Sequence, residues 1–263
     1  MNYHFPPEKY GTENLKIKII KIFMKILLDL IASLQEKDNP VKEILAGAYW
    51  TAVVSKGCGL AATVRHEGHP HPRGVKDVGH LTEKTAGELA NYALSDYPME
   101  ASIGMAAINS LIEVDINHCV ERNALEILFE KGEGQNVAII GHFPFIPELR
   151  KKTGQLWVFE ERPQAGDLPP EKAREILPQC AVVGITASTF INHTLEDLLA
   201  WAKGKYVLLI GPTTPMTPLL FDYGIQVLAG VQVVNQEEVF RCISQGATFR
   251  EIRGVRRLTM MKK

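Results

Sequence analysis

Short continuous apolar runs, each ending in a polar loop, recur through the second half of this chain. Residues 137–140, 181–185 and 206–210 are such runs, too short for buried helices and rich in Val, Ile and Leu, so they predict strands covered on both faces. Gly141-His142-Phe143-Pro144 follows the first, residues 186–194 the second and residues 211–218 the third. Further strands at Leu156 and Ile225 alternate with helices near 146–151, at Glu171, from Leu195, near Leu219 and at Gln236. Parallel neighbours need crossover helices, so the alternation predicts a Rossmann-like α/β domain, a parallel sheet with helices on both faces. All three loops then emerge along the carboxyl edge of that sheet, where open α/β sheets bind their ligands.

The first half has a different pattern. Ile17, Ile20, Met24, Leu27, Ile31 and Leu34 fall on one face of a helix. Lys18, Lys21, Lys25 and Asp29 interrupt its apolar run, which argues against a membrane span or a signal segment. Asp38-Asn39-Pro40 ends the periodicity, and residues 48–54 and 59–64 read as a hairpin around Ser55-Lys56-Gly57-Cys58. Residues 65–80, rich in His, Gly and Pro, predict a long exposed loop. A helix starts at Thr85, which with Glu88 has capping-box spacing. A second helix, over about 99–114, carries small residues at Ala101, Ser102, Gly104, Ala106, Ala107 and Ser110, which suits either close backbone packing or room for a ligand. The polar break at 130–135 is the natural border, giving a smaller α+β domain over 1–132 and the Rossmann-like domain over 133–263.

With 263 residues, 46% of them hydrophobic, the chain has ample apolar surface for two cores. Its 29 basic residues nearly balance 30 acidic ones, a net charge of −1 that disfavours a nucleic-acid backbone as partner. The basic end, 253–263, reads as a solvated tail. Four cysteines, Cys58, Cys119, Cys180 and Cys242, form no Cys-x-x-Cys pair, which indicates neither a disulfide framework nor a thiolate zinc site and fits a cytoplasmic protein. Cys58, between glycines, is expected to be buried rather than nucleophilic, and His118-Cys119 to be a packing pair.

Several loop residues carry candidate chemistry. His142 and Phe143 stand where a dinucleotide fingerprint needs its second glycine, which weakens ordinary NAD binding. Glu160 and Glu161 nevertheless fall about twenty residues after Gly141, the separation at which an acid meets a ribose hydroxyl. Thr186, Ser188, Thr189, Asn192, His193 and Thr194 concentrate hydrogen-bonding groups before a helix, with Thr194 and Asp197 spaced as an N-cap pair. Backbone amides there suit a carboxylate or phosphate. Gly211-Pro212-Thr213-Thr214-Pro215 offers hydroxyls on a stiff loop. His66, His69, His71 and His80 form the cluster with metal-ligand chemistry, imidazoles suiting zinc, nickel, copper or iron. No P-loop lysine, His-Glu-x-x-His or catalytic-triad order is present.

The run Gly57-Cys58-Gly59-Leu60-Ala61, the segment Ser102-Ile103-Gly104-Met105-Ala106-Ala107-Ile108-Asn109 and the three loops together resemble the putative heavy-metal chelation family of prokaryotes, over nearly the whole chain. The resemblance implies an enolase N-terminal-like domain joined to a Rossmann-like one, with these segments lining a cleft between them. It does not bring enolase chemistry, whose metal-binding carboxylates sit on a barrel that this chain has no room for.

The resulting expectation is a small-molecule-binding protein or enzyme with a small, anionic, heteroaromatic ligand in that cleft, in heavy-metal chelation or the making of a metal chelator. Gly141, Phe143, Asn109, Thr186, Ser188, Thr189, Asn192, Thr194, Gly211, Thr213 and Thr214 would bind the ligand. His142 would be its acid or base, and Glu160 would read a ring or ribose hydroxyl. The alternatives are metal binding or delivery through His66, His69 and His71, with His142 as a further ligand, and a transferase using a nucleotide-type cofactor. The cofactor is a heavy-metal ion or a nucleotide- or pterin-like molecule in these readings. No nucleic-acid or membrane partner is expected, a homo-oligomer is compatible, and the reaction stays open at the level of sequence.

Overall fold

The computed structural model describes residues 24–64, 73–120 and 122–263. The first described helix, α1 (Lys25–Leu34), buries Ile26, Leu27, Leu30, Ile31 and Leu34, the i, i+1, i+4, i+5, i+8 stripe of an amphipathic helix. Leu27, Ile31 and Leu34 of the predicted face are among them, whereas Ile17 and Ile20 lie outside the described residues.

Strands β1 (Glu43–Ala46), β2 (Trp50–Val54) and β3 (Cys58–Ala62) form an antiparallel three-stranded sheet, of which the pattern predicted the β2–β3 hairpin and missed β1. Alternate residues serve two cores. Val53 and Ala61 face the helices α2 (Ala86–Ala90) and α3 (Pro98–Leu111), while Ala52 and Leu60 pack with Val239 and Ile243 of α8 (Gln236–Ser244). Thr85 and Glu88 complete a reciprocal capping box at the start of α2, as their spacing predicts. The small residues of α3 serve contact between backbones. A Cβ on Gly104 would lie 1.9 Å from Ala93 N, and one on Gly59 would lie 2.0 Å from the Ala106 carbonyl oxygen. Close packing, rather than room for a ligand, is therefore the use of that stripe.

The second sheet contains β4 (Cys119–Val120), β5 (Asn136–Ile140), β6 (Gln155–Phe159), β7 (Val182–Thr186), β8 (Tyr206–Ile210), β9 (Val227–Val233) and β10 (Val255–Met261), in the order β4-β10-β9-β8-β7-β5-β6. Strands β5 to β9 are parallel, and β10 and β4 close one edge antiparallel. The predicted Rossmann-like sheet is present. Val137, Ile139, Val158, Val182, Leu208 and Ile210 face the helices α4 (Ala124–Gly132) and α5 (Ile146–Arg150). Their neighbours Ala138, Phe159, Val183, Val207 and Leu209 join the core shared with α1, α3, α6 (Ala173–Ile176) and α7 (Leu195–Trp201). Burial on both faces is why these strands read as unbroken apolar runs.

The end of the chain differs from its reading as a solvated tail: β10 pairs with β9 along its full length, from Val255↔Val233 to Met261↔Val227, and Met260 is fully buried. Arg256 and Arg257 occupy its exposed part and obscured the apolar Leu258, Met260 and Met261 beyond them. Among the described residues, no helix is long and apolar enough to cross a membrane.

Candidate functional site

The strand order fixes where a ligand can enter. From β5 the chain moves outward to β6, then returns across β5 to β7, so the connections after β5 and β7 diverge on opposite sides of the sheet. Such a switch point opens a crevice at the carboxyl edge. A cavity of about 570 Å³ lies there. Gly141, His142 and Phe143 line it after β5, Glu160 and Glu161 after β6, and Thr186, Ser188, Thr189, Asn192 and Thr194 after β7. Ile140, Phe159, Ala173, Leu198 and Trp201 supply apolar walls. Val64, which follows the small sheet, contributes from the first half of the chain.

The polar groups of the crevice hold one another. Gly141 adopts φ +99°, a conformation that glycine takes without strain, and turns the chain out of the sheet. Its N–H still completes the ladder to the Phe159 carbonyl at 2.8 Å. The next amide, His142 N, donates to Glu160 Oε2 at 2.9 Å, and Glu161 N donates to Glu160 Oε1 at 2.9 Å. Asn192 joins two loops: its Nδ2 donates to Glu161 Oε1 at 2.9 Å, while its Oδ1 accepts from Thr194 Oγ1 at 2.7 Å. Thr194 lends no side-chain cap to α7, contrary to its spacing, because its hydroxyl is committed to Asn192 and its backbone is already helical. Thr186 Oγ1 and Ser188 Oγ are 3.0 Å apart, and Thr189 Oγ1 donates to the Thr186 carbonyl at 2.7 Å.

Asp167 was not singled out by the sequence. It lies in the turn after β6, its side chain 3% exposed, and its Oδ2 is 2.9 Å from His142 Nδ1. A carboxylate only accepts, so Nδ1 carries a proton toward Asp167, and Nε2 is the ring nitrogen left to a ligand. Trp201 and Leu198 were missed as well, and Asp197 was read only as the N-cap partner of Thr194. They sit with Thr194 at helical spacing on the crevice side of α7, a relation visible only once the start of α7 is placed at this edge.

The loop after β8 does not join this crevice. Thr213, 2% exposed, accepts from Ala62 N at 2.9 Å, and its carbonyl receives Asn109 Nδ2 at 3.0 Å. Asn109 Nδ2 also donates to the Leu60 carbonyl at 2.9 Å. Thr214 Oγ1 donates to the Ala229 carbonyl at 3.0 Å, and the Gly211 carbonyl accepts from Thr214 N at 3.0 Å. These residues, expected as ligand contacts, tie β3 and α3 to β8 and β9. Asn109 and Thr214 instead line a separate cavity of about 100 Å³, into which Cys58 also faces. Thr213→Val should cost about 1–3 kcal/mol, the penalty for leaving the Ala62 N–H without its partner. Denaturant midpoints would show it, and a variant as stable as the wild type would refute the role.

Burial pushes the Cys58 thiol up to about 12, with Glu43 adding to the shift, and Cys180 up to about 11. Neither supplies a thiolate near neutral pH. Burial also lowers the pKa of His193, whose Nε2 is 2.8 Å from the Ala93 carbonyl. This residue binds the β7 loop to the segment before α3. His118 pairs with Asp115 at 2.7 Å beside β4. His66, His69 and His71 lie outside the described residues. Among the described residues no three His, Cys, Asp or Glu side chains are grouped to hold a metal ion.

A Rossmann-like sheet with a lined crevice at its switch point, joined to a small three-stranded sheet, defines an α/β protein of two sheets. Residues 123–262 match the model of the DUF364 family and residues 28–112 that of DUF4213, both described as putative heavy-metal chelation. The chain belongs to the DUF364 family. It is similar to the crystal structure of a DUF364 protein of unknown function from Desulfitobacterium hafniense DCB-2, with 26% identity and a TM-score of 0.81. That similarity covers 92% of this chain and 100% of the other. A DUF364 protein of unknown function from Pyrococcus horikoshii shares the fold, with 21% identity, a TM-score of 0.78 and the same coverage. No curated protein matches the chain.

Proposed function

We propose that this protein binds a small, flat organic molecule in the crevice between the small-sheet half and the carboxyl edge of the large sheet, and that the molecule is a metal chelator or its precursor. The observation that carries the reading is the cavity of about 570 Å³ at the switch point, walled by Phe143, Phe159, Leu198 and Trp201 and rimmed by His142 and Glu160. Apolar walls favour a planar body, and a few fixed polar groups orient it. The family's description supports the chelator. His142, held through Nδ1 by buried Asp167, is the group suited to exchange a proton with the ligand at Nε2. Four carboxylates, Glu160, Glu161, Glu171 and Asp197, line the cavity and replace the anionic ligand expected from the loop amides with one that donates hydrogen bonds.

Native mass spectrometry of gently purified protein tests this. The wild type should retain a small molecule, and Ser188→Trp, which puts an indole into the crevice, should lose it with its circular dichroism unchanged. Retention unaffected by both Ser188→Trp and Asn192→Ala would overturn the reading. So would a ligand-free wild type whose Trp201 fluorescence ignores a panel of planar heteroaromatic compounds.

A further inference from the structure

Phosphate sites at the edges of α/β sheets are made of free backbone N–H groups, so the partners of the amides at this edge bear on what the crevice can hold. In the turn after β5, Gly141 N is bonded to the Phe159 carbonyl, His142 N to Glu160 Oε2 and Ile146 N to the Phe143 carbonyl, while Pro144 has no N–H. After β6, Glu160 N is bonded to the Leu168 carbonyl and Glu161 N to Glu160 Oε1. After β7, Ser188 N is bonded to Thr186 Oγ1, and Ile191 N and Thr194 N to the carbonyls of Ser188 and Thr189. Glu160 is central to this pattern. Each of its carboxylate oxygens takes one amide, in the place where an oxyanion would sit, and each keeps a lone pair.

We infer that the chain's own Glu160 carboxylate occupies the anion position of the crevice, so that the site selects flat ligands bearing N–H or O–H donors and rejects phosphorylated ones. Glu160 and Glu161 accept from the ligand's donors, and a phosphate brought to the same turn meets the Glu160 carboxylate already holding the amides of His142 and Glu161. This selection rests on the crevice being the ligand site, yet it fails separately. A retained metabolite that carries a phosphate would overturn the selection and leave the site in place.

Inorganic pyrophosphate is the direct probe, titrated calorimetrically into the wild type, Glu160→Ala and Glu160→Gln. Removing the carboxylate frees two amides and takes away a negative charge, so Glu160→Ala should bind pyrophosphate at least about tenfold more tightly than the wild type. Glu160→Gln, which loses the charge and fills the same space, should show a smaller gain and carries the test if the alanine variant does not fold. Wild-type affinity equal to that of the folded variants would overturn the inference.

Discussion

Gly104→Ala is expected to lower the stability of the protein by about 3 kcal/mol or more, although alanine is the better helix former. In an exposed helix interior the same change stabilises by roughly 0.5–1 kcal/mol. At position 104 the added Cβ would fall 1.9 Å from Ala93 N and 2.6 Å from Ala93 Cα. Those are backbone atoms, which cannot rotate away as a side chain does. The segment Asn91–Leu94 and α3 would have to separate, opening the core around the buried Ala93 and Ile103. Thermal unfolding followed by circular dichroism should fall by roughly 6–12 °C for a chain of this size. An unchanged or higher midpoint would show that α3 does not pack so closely.

Phe159→Ala should cost about 3–5 kcal/mol, because the ring is 1% exposed and its removal leaves a cavity in the shared core. Phe159 is the last residue of β6, where its backbone pairs with Ile140 and its side chain closes one wall of the crevice. The substitution therefore links stability to binding: the crevice deepens, and ligand retention weakens even in the folded fraction. Phe159→Leu, which keeps most of the volume, should cost about 1.5 kcal/mol or less. Urea midpoints of the two variants separate the effects, and an alanine variant within about 0.5 kcal/mol of the wild type would exclude Phe159 from the core.

The loops that border the crevice are largely legible in the sequence. Continuous apolar runs at 137–140, 181–185 and 206–210 specify strands buried on both faces, and that requirement places the loops after them at one edge. Glu160 was picked out by its distance from Gly141, a spacing set by one crossover and the strand after it. Asp167 had no such signal. It lies within the turn after β6, and its pairing with His142, 25 residues earlier, depends on how that turn folds back.

The loop after β8 shows the limit of composition. Its threonines have the residue types of a binding loop, but their hydroxyls and carbonyls are used in joining β3, α3 and β9. Polar side chains that hold a fold together and those that meet a ligand are chemically alike, and only their partners distinguish them. β10 was hidden for a related reason, since Arg256 and Arg257 dilute its apolar residues and the rest of its support comes from β9 and β4, distant in sequence.

By itself, the sequence determined the α/β class, the hairpin, the capping box at Thr85 and the polar loops that end the parallel strands. Those features follow from side-chain periodicity and local backbone preference, which act over a few residues. Only the tertiary structure decided that the loops after β5, β6 and β7 share a crevice and the loop after β8 does not, that α3 uses its small residues for packing, and that Glu160 accepts the amides of His142 and Glu161. Each depends on strand order and on contacts between segments far apart in the chain, which no local pattern encodes.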